Sequence, residues 1–71
     1  MSFADKIKFV RAQLLISQKE LANLIGVNYV TISRWETGKL QPSFLTEKKF
    51  EKFCNNKKIK WIDQNKTVNK I

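Results

Sequence analysis

The stretch over residues 17–35, SQKELANLIGVNYVTISRW, constrains this chain more than any other. It reads as two short helices joined by a tight turn. Ser17 is a good N-cap. Glu20, three residues on, makes it a capping box in which each side chain satisfies the other residue's backbone N–H. Leu21, Ala22 and Ile25 then fall on one helical face. Gly26 follows, where a helix can end on a positive-φ residue. Asn28 can cap a second helix. In that helix Ile32 and Trp35 face inward, and Tyr29, Val30, Ser33 and Arg34 are left facing out.

Two helices that cross steeply after so short a turn need three things. They need a small side chain at the crossing, supplied by Ala22. They need a residue without Cβ strain at the bend, supplied by Gly26. They need apolar groups to close the wedge: Leu21, Ile25, Val27, Ile32 and Trp35. All seven positions are correctly filled, and the pattern resembles the helix-turn-helix of the Cro/cI type, the XRE family of lambda-repressor-like DNA-binding domains. The resemblance continues through WETGKLQP, residues 35–42, reaches back to Arg11, and covers roughly residues 5–54. It implies an all-α fold: a compact four- to five-helix lambda-repressor-like bundle with the helix-turn-helix as helices two and three. It also implies a bridge from Arg11 to Glu36, tying helix one to helix three. The DNA-binding domain then spans residues 1–56, and residues 57–71 form a basic C-terminal extension, dimerising or frayed.

Helix one is expected over about residues 2–14. Phe3, Ile7, Val10 and Leu14 make its apolar stripe, and Ser2 with Asp5 caps it. Phe9 lies off the stripe, either exposed or covered by something later in the chain. Leu15 departs from the family, which often has Gly there. A left-handed Leu costs roughly 1 kcal/mol, so helix one is expected to end differently. Gly38 ends helix three, and Pro42 blocks helix until Ser43 or later. Helix four follows over about residues 44–55, with Leu45 stapled against Phe50 and with Phe50, Phe53 and Cys54 sealing the core. Beyond it, Ile59 and Trp61 alternate with lysines as in a half-buried strand, while Ile59 and Ile62 fit a helical turn equally well. Residues 64–71 are polar and expected to fray.

Charge and composition narrow the function. With 71 residues there is room for one domain at most, and 42% hydrophobic content argues for a folded core. A net charge of +8 points to a polyanionic partner. One cysteine and no histidine leave no internal disulfide and no metal cluster, as in a reducing cytoplasm. No cofactor is implied. No apolar run approaches membrane-spanning length and no signal peptide is evident. A soluble cytoplasmic protein of bacterial, phage or mobile-element type is expected. An enzyme is disfavoured by the missing histidine, the few carboxylates and the lack of room for a cleft.

Phosphates and base edges need different chemistry. Helix N-termini offer free N–H groups and partial positive charge, so Ser17, Gln18 and Lys19 are phosphate candidates at the start of helix two. The resemblance adds Asn28 and Thr31 at the reading helix, and Lys39, Thr37 and Ser43 after it. Base reading falls to the exposed start of helix three, where Tyr29, Val30, Ser33 and Arg34 occupy the family's reading positions. Arg34 can fork onto guanine, and Val30 can pack on a thymine methyl. Trp35 is a core residue at helical spacing from Ile32. The expected partner is double-stranded DNA, bound by a homodimer on a pseudo-palindromic site, with the chain acting as a repressor or controller protein. The alternative is an antitoxin- or coactivator-like module of the same fold that holds a partner protein. Ile59–Ile62 would either pair with its symmetry mate or pack over Phe9 of its own chain.

Overall fold

The computed structural model describes residues 1–61. The elements are α1 (Phe3–Leu14), α2 (Gln18–Ile25), α3 (Tyr29–Glu36) and α4 (Phe44–Asn56), with no strand among the described residues. The bundle is all-α, and among those residues it has four helices rather than five. Each helix opens on a side chain that accepts one of its orphan N–H groups. Ser2 Oγ accepts from Asp5 N (3.1 Å), Ser17 Oγ from Glu20 N (3.0 Å), Asn28 Oδ1 from Val30 N (2.8 Å) and Ser43 Oγ from Thr46 N (3.2 Å). The capping box is complete, because Glu20 Oε1 accepts from Ser17 N at 2.8 Å.

The helix ends share one geometry too. A left-handed residue follows each: Leu15 (φ 57°), Gly26 (φ 90°), Gly38 (φ 77°) and Lys58 (φ 55°). The next residue's N–H then reaches back to an orphan carbonyl. Ile16 bonds Arg11 O (3.1 Å), Val27 bonds Ala22 O (2.9 Å), Lys39 bonds Arg34 O (2.9 Å) and Ile59 bonds Cys54 O (3.1 Å). This is the Schellman arrangement. Helix one therefore ends in the family's way in spite of Leu15, contrary to the expectation from its side chain. The reason lies one residue on. Ile16, Val27 and Ile59 all pack against the core, and that contact turns the preceding residue left-handed. Leu15 itself is exposed.

Ile7, Val10, Leu21, Ala22, Ile25, Ile32, Trp35, Phe50 and Cys54 make the core. Of the seven wedge positions, five are buried side chains in that set, Val27 packs against it, and Gly26 makes the bend. Phe3 sets its ring against Trp35 and Phe50, with centroids 5.2 Å apart in both cases. The Trp35 indole N–H is buried with no acceptor among the described residues, so the ring serves by its area. Leu45 does not staple Phe50: it stands 75% exposed, and Phe50 is held by Phe3 and the core. Burial pushes the Cys54 thiol up to about 11, which keeps it protonated and unreactive at neutral pH.

After α4 the chain forms neither a strand nor a helical turn over residues 59–61. Ile59 packs against the core, and Trp61 stacks on Phe9 with centroids 5.4 Å apart and planes 22° apart. Lys60 N donates to Gln13 Oε1 at 3.4 Å. Phe9 is thus covered by its own chain. Ile62 and residues 64–71 lie outside the described residues.

Candidate nucleic-acid interface

The helix-turn-helix is locked from behind by Glu36, the last residue of α3. Arg11 Nε donates to Glu36 Oε2 at 2.7 Å and Arg11 Nη2 to Oε1 at 3.1 Å, a bidentate pair. Gln18 Nε2 adds a third bond to Oε1 at 2.9 Å, and Arg11 Nη1 reaches Ile16 O at 3.3 Å. The expected Arg11–Glu36 bridge is present, and it joins α1, α2 and α3 at one carboxylate. Burial alone would raise the Glu36 pKa; the bonds from Arg11 and Gln18 and the nearby charges of Arg11 and Lys8 outweigh it and hold the carboxyl below its ordinary value. The bond to Glu36 raises Arg11 in turn.

With α3 held this way, Ile32 and Trp35 face the core. Tyr29 (45% exposed), Val30 (42%) and Arg34 are exposed, with Ser33 half-buried beside them. These are the four residues expected to read bases. Lys19, from the first turn of α2, places Nζ 5.7 Å from the Tyr29 ring centroid. Sequence reasoning missed that contact and the Gln18–Glu36 bond. Both depend on the crossing of α2 and α3, which leaves no local signal.

The expected phosphate contacts divide by what their donors already do. The capping box occupies the N–H groups of Ser17 and Glu20, leaving those of Gln18 and Lys19 open at the start of α2. Ser17 accepts with its hydroxyl oxygen, so its hydroxyl hydrogen stays available. Asn28 caps through Oδ1 and keeps its amide NH₂. Lys39 is exposed and Thr31 half-buried. The Gln18 side chain is engaged with Glu36, which leaves its backbone N–H for the role, and two hydroxyl candidates are otherwise engaged. Thr37 Oγ1 donates to Ser33 O and Arg34 O, both at 3.2 Å. Ser43 Oγ donates to Thr46 Oγ1 at 2.9 Å. A phosphate accepts hydrogen bonds and does not donate them, so these two hydroxyls favour the structural role of holding helix ends. A cleft of about 260 Å³ between α1, α4 and Trp61 contains none of these residues.

A family profile described as Helix-turn-helix matches residues 7–62, most of the chain. The chain belongs to the Cro/cI-like helix-turn-helix family. No curated protein and no solved structure matches it. Cro/cI-like helix-turn-helix domains bind DNA and regulate transcription, and theirs is not an enzyme family. Among the described residues no helix is long and apolar enough to cross a membrane.

Proposed function

We propose that this chain is a sequence-specific, double-stranded DNA-binding transcriptional regulator, a repressor or controller protein, that lays α3 in the major groove. The observation that carries this is the outer face of α3. An aromatic, an aliphatic and a guanidinium side chain stand exposed at Tyr29, Val30 and Arg34, on a helix whose other face is fixed by Ile32, Trp35 and Glu36. A rigid helix presenting donors and apolar groups suits base edges. The open N–H groups of α2, with Lys19 and Lys39, suit the flanking phosphates. Two copies on a pseudo-palindromic site extend a footprint that is too short for one copy to find a single genomic site.

Random-site selection on duplex DNA tests the reading by showing whether a sequence is chosen and whether it is palindromic. Arg34→Ala is expected to lose about 1–3 kcal/mol of discrimination at one guanine while keeping non-specific binding. Lys39→Ala is expected to weaken all sequences alike and flatten the salt dependence by about one unit of slope. Uniform weakening by Arg34→Ala with base preference intact would make Arg34 a phosphate contact.

A further inference from the structure

The cleft of about 260 Å³ between α1, α4 and Trp61 takes no part in the DNA reading. Its walls are aromatic. Phe3 comes from α1, Phe50 from α4, and Trp61 rests on Phe9 with its ring still 40% exposed. Cys54 also lines the cleft, and burial keeps its thiol protonated, so it brings no charge there. The volume lies at the low end for ligand pockets, which suits one ring and a short polar group.

The charges on the cleft say what that polar group is. Lys6 from α1 and Glu47 from α4 both line it and are half-buried. Among the described residues neither side chain has an ion pair, although the two carry opposite charges on one cleft. Glu20 and Glu36, by contrast, are committed to the capping box and to Arg11. Glu51 lines the cleft one helical turn after Glu47, and its link to Lys48, at 3.5 Å, is exposed. Like charges at this spacing repel, so α4 gives up some stability to hold both carboxylates here. A cation between them relieves that repulsion. An anion at Lys6 satisfies the remaining half-buried charge.

We propose that this cleft binds a small zwitterion with an aromatic body, the chemistry of a free aromatic amino acid. Its ammonium group meets Glu47 and Glu51, its carboxylate meets Lys6, and its ring lies against Phe3 and Trp61. The site shares no residue with the outward face of α3, so the proposal stands apart from the DNA reading.

Nuclear magnetic resonance on the full, isotopically labelled chain tests this, with L-phenylalanine titrated at neutral pH. Saturable shifts are expected at the Trp61 indole N–H, with a Kd of about 1 mM for a ligand of this size. Phenethylamine lacks the carboxylate and hydrocinnamate lacks the ammonium; each is expected to bind about three- to tenfold more weakly. Lys6→Ala is expected to abolish the preference for L-phenylalanine over phenethylamine. Glu47→Gln is expected to abolish the preference over hydrocinnamate. Both variants should keep the melting curve, because neither side chain is ion-paired within the described fold. No saturable shift up to about 10 mM overturns the proposal. So do three probes bound alike by the wild-type chain, or preferences that survive both substitutions.

Discussion

The side chains of Arg11 and Gln18 meet at Glu36. Its side chain is only 9% exposed while that of Arg11 is 27% exposed, so the pair sits where removing one partner strands a partly desolvated charge. Glu36→Gln is expected to cost about 2 kcal/mol at neutral pH, softened from the fully buried case by the exposure of Arg11. The sign of the pH dependence follows from the lowered pKa of Glu36. A depressed carboxylate stabilises the fold above its unfolded value, near 4.5, and loses that contribution as pH falls through the lower folded value. The gap between wild type and variant should therefore be widest near neutral pH and close in acid. Thermal melts at about pH 7 and about pH 3 check this, and an equal gap at both would count against it. Leu15 is a residue-scale problem of the opposite kind. Its φ of 57° is strained and its side chain is 89% exposed, so it holds a costly conformation without packing. Leu15→Gly is expected to add about 0.5–1 kcal/mol, raising Tm by roughly 2–8 °C. A fall in Tm would mean that the left-handed ending is not the resting state of this turn.

At the scale of elements, helix starts were legible and helix ends only partly so. Ser2, Ser17, Asn28 and Ser43 all cap as their residue types suggest, because a cap is a bond within three residues. Leu15 and Lys58 are not residues that advertise a left-handed turn, and what places them there is the burial of Ile16 and Ile59, a tertiary contact. The available signal was the apolar residue that directly follows each of them, Ile16 after Leu15 and Ile59 after Lys58. The α2–α3 wedge gives a sharper test. Ala22 is 2% exposed within the core, and enlarging it to Leu overpacks that core at a cost of about 1–3 kcal/mol. At Gly26 a Cβ would meet nothing within 4 Å, so Gly26→Val is penalised through φ +90° alone, by about 2 kcal/mol. In a domain whose net stability is about 3–5 kcal/mol, either change removes much of the total. Circular dichroism should show both variants largely unfolded or melting far below wild type. A native melting curve for Ala22→Leu would mean that the helices do not cross there.

The outward face of α3 was legible because helical spacing assigns sides, but whole-molecule arrangement was not, and the tail shows why. Ile59, Trp61 and Ile62 fitted a strand or a helical turn by pattern alone, and what decides the described part is Phe9, fifty-two residues before Trp61. A short chain has few apolar residues, so an off-stripe Phe and a late Trp find each other to cover surface that four short helices leave open. The described contacts make residues 59–61 part of the fold: Ile59 on the core, the Phe9–Trp61 stack, and the Lys60–Gln13 bond. Trp61→Ala and Phe9→Ala are each expected to lower stability by about 1–2 kcal/mol, and the double variant by less than their sum, with a coupling of about 0.5–1.5 kcal/mol for a stacked pair. Ile59→Ala should cost more than Trp61→Ala, because Ile59 packs against the core while Trp61 remains 40% exposed. Melts of these variants check both expectations, and strictly additive losses at Phe9 and Trp61 would mean that the two rings do not stabilise one another.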